Sequence, residues 1–496
     1  MVDLIVIGAG PGGYEAAAYA AKLGKKVVLI EKNELGGTCL NVGCIPAKTL
    51  LRSARAYEDV LEASRYGVSG AGTPVLDMKA VQARKQSVIA TLKKGVEGML
   101  KRAGVEIVKA EAKVLGRGKV AAGGKEYEAT NILVATGSVP ACPPIPGLRD
   151  NPKVLDSTGI LALEEIPKEL VIIGGGVIGL EFATFFATAG TKVTIVEMLP
   201  KIAPVVDEEI SKKLMAEMKK AGVVFNLSCK VQKIEGNVLT FTDPDGKDQQ
   251  ITGDYILSAI GRSAVTRGFG LEEAGVEIER RGIKTDEFGK TNVPGIWACG
   301  DCTGRMQLAH AATREGIVAV HNMFGEHLGW YKVTNVLGYL AILIALCFAA
   351  IGGLQLVYRR SILKVDKEIL LLGGLYVVTV ILYIFFEKVV VNYRPILMPD
   401  GTGPEASFPS SHTMLSCVIL GSGLQLVKKY AKKSKTVQLV LTVIFAVMLA
   451  LIVAGRLLSG VHWFTDIVGG LLLSVALLNA WEGLLMIWKQ KAKKQN

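Results

Sequence analysis

Two cysteines, Cys39 and Cys44, lie in the stretch GGTCLNVGCIPAK, which ends at Lys48. Their spacing allows a disulfide across one irregular helical turn, and a helix N-terminus together with Lys48 would favour a thiolate on the reduced pair. Two nearby cysteines can also be small core residues, and the pair alone does not separate the two interpretations. Because glycine-rich motifs lie on both sides of this stretch, we predict a redox-active disulfide.

A glycine-rich turn opens the chain at Gly8, Gly10 and Gly13, between a predicted apolar strand and a predicted helix. Such glycines allow a tight turn and a close approach of a pyrophosphate to the helix N-terminus. Glu31, at the end of the next strand, can bind a ribose hydroxyl. An ordinary tight turn is the alternative. The predicted elements are the strand 3–7, the helix 11–23 and the strand 26–30.

The same pattern returns at Gly174, Gly176 and Gly179, where a second strand ends at Glu197. In both copies the acidic residue lies 23 positions beyond the first glycine. Two such units predict two bound nucleotides, one in each of two domains. An acidic residue at position 197 favours NAD over NADP, because it would repel a 2′-phosphate.

A different set of reactive side chains lies in the last third of the chain. Two arginines, Arg394 and Arg456, with a lysine and the backbone amides at a helix start, suit a phosphate group. His462 and Asp466, four positions apart on one predicted helix face, form an oriented nucleophile. A single histidine near a membrane is usually structural, but the joint pattern favours chemistry. The other members of this set are Lys388, Ser410, Ser411 and His412.

The elements that carry this second set are long and apolar. The chain has 496 residues, a formal charge of +12 and a mean hydropathy of +0.37. From residue 331 onward there are 17 Lys and Arg against 7 Asp and Glu, so the basic excess belongs to this part. Buried helices of a soluble protein are the alternative, but five such runs in 160 residues predict membrane spans. The runs are 333–357, 369–386, 414–427, 437–454 and 467–488.

Charge and composition also limit the classes of function. Basic loops at 359–367, 428–435 and 489–494 predict cytoplasmic ends, which puts the reactive set on the outer face. The basic excess is a weaker sign of nucleic-acid binding, because no basic helix with interleaved aromatic residues occurs. Eight cysteines in a chain of this length do not indicate a disulfide framework. The first residues do not predict a signal peptide.

Residues 1 to about 325 resemble the flavin disulfide reductases, specifically dihydrolipoamide dehydrogenase. The resemblance implies FAD and NAD as cofactors, with NADH as the reductant. It also implies that Lys48 and Glu181 pair beside the flavin. Cys299 and Cys302 have metal-ligand spacing but no partner pair, so we interpret them as small buried residues and predict no metal site. The remaining residues that the resemblance assigns to cofactor binding are Thr38, Gly137, Gly261, Asp301 and Ala309.

The reductase family continues with an interface domain of about a hundred residues, which forms the dimer and supplies a His–Glu pair across it. None of the later histidines, His321, His327, His412 and His462, lies in that setting. The resemblance therefore predicts electron transfer from NADH to the cysteine pair without the general base for dihydrolipoamide. It also argues against a reductase-type dimer.

The last part of the chain resembles the type 2 phosphatidic acid phosphatases. This resemblance implies that His462 attacks phosphorus, that Asp466 orients His462 and that His412 protonates the leaving group. The phosphoryl oxygens would be held by Arg394, Arg456, Lys388 and Ser410 or Ser411. Three positions depart from the family pattern: Lys388 lies one residue nearer Arg394, Ser411 replaces a Gly, and Gly455 replaces a Ser.

Together these patterns predict an α/β flavoprotein module with two dinucleotide-binding domains, followed by an all-α bundle of five transmembrane spans. The substrate implied for the bundle is a lipid phosphate or polyprenyl diphosphate in the bilayer.

Both families are incomplete near 320–327, which indicates a join of two modules. The reductase module is of cytosolic type, whereas five spans place residue 332 outside. The alternative is a reductase with a non-catalytic membrane anchor. Predicted domains are 1–147 with 264–325 for FAD, 148–263 for NAD, a junction at 326–332 and the bundle at 333–490.

Overall fold

The computed structural model describes residues 1–70, 72–324, 328–394, 405–432 and 434–494. They form two compact units, Met1–Val320 and His321–Asn496, each described by itself below. The division falls inside a helix, a few residues before the predicted junction at 326–332.

The first unit alternates strands and helices, as the sequence predicts. Its elements are β1 (Val2–Ile7), α1 (Pro11–Lys22), β2 (Val27–Glu31), α2 (Gly37–Val42), α3 (Cys44–Leu61), α4 (Met78–Ala103), β3 (Glu106–Lys109), β4 (Ala112–Gly116), β5 (Lys119–Ala122), β6 (Lys125–Val134), β7 (Ser138–Pro140), β8 (Val154–Leu155), β9 (Glu169–Ile173), α5 (Val177–Thr188), β10 (Lys192–Val196), α6 (Glu208–Lys220), β11 (Val224–Asn226), β12 (Lys230–Glu235), β13 (Val238–Thr242), β14 (Asp248–Thr252), β15 (Tyr255–Ser258), β16 (Arg262–Ala264), β17 (Ile296–Ala298) and α7 (Ala309–Phe324).

Two parallel sheets organise this unit. One has the strand order β3-β2-β1-β6, with β17 paired to β6 and the antiparallel strands β5 and β4 beyond it. The other has the order β11-β10-β9-β15-β8 and is parallel throughout. The central strands are almost continuously apolar because helices or further strands cover both faces. Leu4, Ile132 and Ile172 are fully buried in these sheets.

The two parallel sheets repeat one supersecondary unit. In each, a strand passes through a glycine turn into a helix and returns to the neighbouring strand, as β1-α1-β2 and as β9-α5-β10. The turn thus lies at the carboxyl end of a central strand, where open α/β sheets bind ligands. A three-stranded antiparallel sheet, β12-β13-β14, and the two-stranded ribbon β16-β7 complete the unit.

The second unit is helical. Its helices are α8 (Leu328–Arg359), α9 (Lys367–Lys388), α10 (Ser411–Tyr430), α11 (Lys435–Leu458) and α12 (Phe464–Lys494).

Four of these helices are long and apolar enough to cross a membrane, and α10 does not meet that description. Side chains of α10 instead join two apolar clusters of the unit: Leu420 packs with α8 and α11, and Val418 packs with α9 and α12. The described residues therefore contain four candidate spans, and the predicted count of five is not confirmed. Because its neighbours shield α10 on several sides, that helix tolerates buried serines that a lipid-facing helix would not.

The two ends of the helical unit differ in chemistry. At one end, Asp366 before α9 accepts hydrogen bonds from Arg359 at 2.8 Å and from Tyr430 at 2.9 Å, and Lys429 forms an ion pair with Glu368 at 2.8 Å. These contacts bring the ends of α8 and α10 to the start of α9. Of the predicted phosphate-binding residues, Lys388 ends α9, Ser410 is the N-cap of α10 and Arg456 lies in the last turn of α11.

Candidate active sites

The two glycine turns of the first unit have matching geometry. Gly8 and Gly174 have φ values of +102° and +108°, which favour glycine. A Cβ on Gly13 would lie 1.9 Å from the Gly8 carbonyl oxygen, and one on Gly179 would lie 2.3 Å from that of Gly174. The first and third glycines are therefore required by the backbone itself.

The middle glycines of the two turns, Gly10 and Gly176, differ from the first and third glycines in the space around them. A Cβ on Gly10 or on Gly176 would meet no atom of the described residues within 4 Å. Both residues line the cavity of this unit. Because the protein backbone does not require glycine at these two positions, the open space beside them is what a closely approaching phosphate would need.

The acidic residues that end β2 and β10 fix these turns. Each carboxylate accepts hydrogen bonds from two backbone N–H groups. One belongs to a residue of the glycine turn, and the other belongs to the residue two positions after the acidic residue itself. A carboxylate has about four lone-pair sites, so each retains capacity for ribose hydroxyls. The bonds are Ala9 and Asn33 to Glu31, both at 2.7 Å, and Gly175 and Leu199 to Glu197, at 2.5 and 2.7 Å.

The cysteine pair lies between the two turns, with Cys39 in α2 and Cys44 at the start of α3. Both are thiols here. A hydrogen bond from Cys39 lowers the pKa of Cys44 to about 6, with help from the positive charge of Lys48. Lys48 in turn forms an ion pair with Glu181, Nζ to Oε1, at 2.9 Å. The lowered pKa favours the thiolate form of reduced Cys44, which is the form that reacts with disulfides.

Asp301 is held by residues whose role the sequence did not reveal. The Ser138 hydroxyl donates to its Oδ2 at 2.5 Å, and Arg262 donates through Nε to that hydroxyl at 2.7 Å. The preceding residue, Gly300, donates its N–H to Glu315 Oε2 at 2.6 Å. Ser138 lies on β7 and Arg262 on β16, where the register pairs them with Ala264 and Pro140. Their contact therefore depends on the pairing of two strands that are distant in sequence.

One cavity of about 1010 Å³ brings most of the predicted cofactor residues together. Its size is at the upper end of the ~300–1,000 Å³ range of ligand pockets, which suits a large ligand. Gly8, Gly13, Gly179 and Glu31 shape the turns behind the cavity instead of lining it. The predicted residues that line it are Gly10, Thr38, Cys39, Cys44, Lys48, Gly137, Gly174, Gly176, Glu181, Glu197, Gly261, Asp301 and Ala309.

Cys299 and Cys302 lie in the core beside this cavity. Burial raises the pKa of Cys302 to about 12, and its thiol contacts the carbonyl oxygens of Val134 and Cys299 at 3.4 and 3.2 Å. Both cysteines are therefore packed as small apolar residues, with thiols that stay protonated at neutral pH.

In the helical unit, His462 lies in the turn before α12, so it does not share a helix face with Asp466 as predicted. Its Nδ1 is 3.9 Å from Asp466 Oδ2, which is too far for a hydrogen bond. Ser407 fills the gap, with its Oγ 3.2 Å from Nδ1 and 2.5 Å from Oδ2. His462 and Asp466 are both buried, and His462 Nε2 has no hydrogen-bond partner among the described residues.

Two guanidinium groups lie within electrostatic reach of His462. Each is held through Nη2: Arg394 by Glu405 at 2.8 Å, and Arg456 by Asn335. Nε and Nη1 of both arginines are buried and find no partner in the part of the chain that the structure describes. Leaving such a donor unsatisfied costs about 1–3 kcal/mol or more, so four together indicate an anionic ligand.

The remaining predicted residues take different positions. His412 lies in the first turn of α10, within electrostatic reach of both arginines, and packs against Gly338 of α8. Ser410 is the N-cap of α10, and its Oγ accepts from the Thr413 hydroxyl at 3.0 Å. Lys388 is exposed at the end of α9, unlike the buried residues His462, Asp466 and Arg456.

Gly455 has a steric reason to replace the family's serine. A Cβ there would lie 2.5 Å from the buried Thr334 side chain and 3.1 Å from the Trp330 ring of α8. The same turn of α8 places the Tyr331 ring 4.9 Å from the Arg456 guanidinium carbon. The close approach of α8 to α11 therefore needs glycine at position 455 and provides part of the arginine's support.

Two nucleotide turns that face one cavity, with a dithiol between them, define a nucleotide-dependent disulfide reductase. The chain belongs to the pyridine nucleotide-disulphide oxidoreductase family, whose model matches residues 2–316. Residues 368–493 match the PAP2 superfamily and form its domain in this chain. Both predicted resemblances are thereby confirmed.

Relatives of known sequence and structure agree with the reductase assignment. The chain is 40% identical over 324 residues to dihydrolipoyl dehydrogenase of Acholeplasma laidlawii, covering 65% of this chain and 96% of that protein. It is 41% identical over 331 residues to the Bacillus subtilis (strain 168) enzyme, covering 66% and 72%. The solved HOCl-induced flavoprotein disulfide reductase RclA from Escherichia coli has a TM-score of 0.58 at 31% identity, covering 65% and 71%.

Proposed function

We propose that the first unit binds FAD at the β1 turn and NADH at the β9 turn. The cavity shared by the two turns and the dithiol carries this proposal. Bound FAD would supply the transfer of two electrons from NADH to the Cys39–Cys44 disulfide. Within the protein, Lys48 and Glu181 supply a fixed ion pair beside the dithiol, and the lowered pKa of Cys44 keeps its thiolate ready for exchange.

Equivalent substitutions in the two turns should separate the two nucleotides. Gly10→Ala should lower the amount of FAD that copurifies with the chain, and Gly176→Ala should keep the FAD but raise the KM for NADH. Each added methyl meets open space in the protein and obstructs only the ligand. The measurements are flavin absorbance per chain and the NADH dependence of dye reduction.

Gly13→Ala is the control for folding, because its methyl would lie 1.9 Å from a backbone oxygen. Measured on FAD-free protein, that variant should have a lower melting temperature than the wild type, whereas the other two should not, because bound FAD would itself stabilise the fold. Loss of FAD in Gly176→Ala, or unchanged FAD in Gly10→Ala, would contradict the assignment of the two turns.

We further propose that the helical unit hydrolyses a phosphate ester through a phosphohistidine at His462. The observation that carries this is the Nε2 of a buried imidazole next to four guanidinium nitrogens, all without a hydrogen-bond partner among the described residues. The guanidinium groups would bind the phosphoryl oxygens and stabilise the negative charge that develops on them. Nε2, which is not engaged by the described residues, would be the attacking atom.

The reaction divides into two steps. The Nε2 electron pair forms an N–P bond while the bond from phosphorus to the leaving oxygen breaks, and His412 gives that oxygen its proton. Water then attacks phosphorus and gives a proton to His412, while the N–P bond breaks and its electron pair returns to Nε2. A site at the end of a membrane bundle suits a lipid phosphate or a polyprenyl diphosphate, whose apolar part stays in the bilayer.

The distribution of charge supports an orientation in which the basic ends of α8, α10 and α12 face the cytoplasm and the site faces outward. A membrane-impermeant maleimide applied to intact cells tests this. Val390→Cys, an exposed position just after α9, should react, and Ile362→Cys, exposed between α8 and α9, should react only after lysis. The reverse labelling pattern would refute the orientation.

A further inference from the structure

The side chain of Ser407 lies between the two residues assigned to the nucleophile. Its Oγ is 2.5 Å from Asp466 Oδ2 and 3.2 Å from His462 Nδ1, and its carbonyl oxygen is also 3.2 Å from Nδ1. Ser407 is 1% exposed, so water does not compete for these bonds. One residue therefore contacts the imidazole twice and the carboxylate once.

The direction of each bond follows from the chemistry of the partners. The Ser407 carbonyl oxygen only accepts, so the imidazole must present Nδ1–H to it, and the electron pair of the ring lies on Nε2. The ionised carboxylate of Asp466 likewise only accepts, so the Ser407 hydroxyl donates to it. The oxygen of that hydroxyl then faces Nδ1–H with a lone pair.

Asp466 is fixed by other bonds and does not reach the imidazole. Asn392 Nδ2 donates to Oδ1 at 3.0 Å, and the Trp463 N–H donates to Oδ2 at 2.8 Å. Since Oδ2 is 3.9 Å from His462 Nδ1, a direct hydrogen bond between the two is excluded here. Ser407 is the side chain that links them.

We propose that Ser407 is a positioning residue, which transmits the charge of Asp466 to His462 and fixes the tautomer that attacks phosphorus. This inference rests on the proposed phosphohistidine chemistry. As Nε2 forms its bond to phosphorus, the ring becomes positively charged and keeps its Nδ1 proton. The Ser407 hydroxyl, polarised by Asp466, stabilises that charge in the transition state more than in the free enzyme.

The test measures phosphate release from phosphatidic acid in detergent micelles by the full chain. Ser407→Ala should lower kcat by about 10- to 100-fold, as expected for an orienting partner, and leave KM nearly unchanged because the arginines still bind the phosphate. Ser407→Thr, which keeps the hydroxyl, should recover most of the rate. Ser407→Cys, of similar volume but with a weak donor, should not.

Ser474→Ala is the matched control. That serine is also buried, and its hydroxyl donates to the carbonyl oxygens of Met414 and Gly470. Its activity should match that of the wild type.

Three outcomes decide the matter. A wild-type rate in Ser407→Ala or in Ser407→Cys, while His462→Ala is inactive, would overturn the relay and leave the proposed function standing. If Ser407→Ala does not fold, Ser407→Cys and Ser407→Thr give the same comparison, and equal rates in these two overturn the proposal. Wild-type protein that releases no phosphate overturns the proposed function, and the relay with it.

Discussion

Replacing His462 with Ala should reduce phosphate release from phosphatidic acid by about 10³-fold or more, because the variant lacks the atom that bonds to phosphorus. Binding should survive better than turnover, since Arg394 and Arg456 remain in place. The measurement is inorganic phosphate released by the detergent-purified chain. Wild-type protein quenched during turnover should carry an acid-labile phosphoryl group on His462.

His412→Ala separates the proposed acid from the proposed nucleophile. This variant should be slow on phosphatidic acid but retain a much larger share of the wild-type rate in the first turnover of p-nitrophenyl phosphate, because nitrophenolate leaves without a proton. His462→Ala should be inactive on both substrates. EDTA should leave the wild-type rate intact, since the guanidinium groups supply the positive charge that a divalent cation provides in other phosphatases. Turnover by His462→Ala would rule out the assigned nucleophile.

Dihydrolipoamide oxidation should be at least ~10²-fold slower than NADH-dependent dye reduction by the same FAD-loaded chain, since general bases contribute about 10²–10⁴-fold. NADH and dye require only the nucleotide sites and the flavin. Dihydrolipoamide also needs a base beside Cys39 and Cys44, and no histidine among the described residues lines the cavity. The measurement compares the two rates at saturating substrate in one preparation.

Cys44→Ser is the control for this second expectation. It should abolish any disulfide exchange and leave dye reduction close to the wild-type rate, because the dye takes electrons without the dithiol. Rapid dihydrolipoamide turnover by the wild-type chain would show that another group serves as the base. Loss of dye reduction in Cys44→Ser would show that the dye depends on the thiol.

The sequence by itself determined the two modules and most of the reactive residues. Glycine turns, the cysteine pair and the histidine and arginine motifs are recognised by spacing over a few residues, and that spacing directly sets the local geometry of a turn or a helix start. The nucleotide turn at Gly8 and its copy at Gly174 were predicted for this reason. The long apolar runs likewise predicted helices, because length and composition alone distinguish them.

Only the tertiary structure decided how these residues are held. Ser407 meets His462 across 55 positions of sequence, and Arg456 meets Asn335 across 121 positions, so no local pattern announces either contact. Spacing placed His462 on the helix of Asp466, but α12 begins at Phe464, and the intervening turn moves the imidazole beyond direct reach of the carboxylate. Composition alone could not show that α8, α9, α11 and α12 pack around α10, which makes it the interior helix of its unit. Such features depend on which surfaces meet after folding, which is a property of the whole chain and not of any one segment.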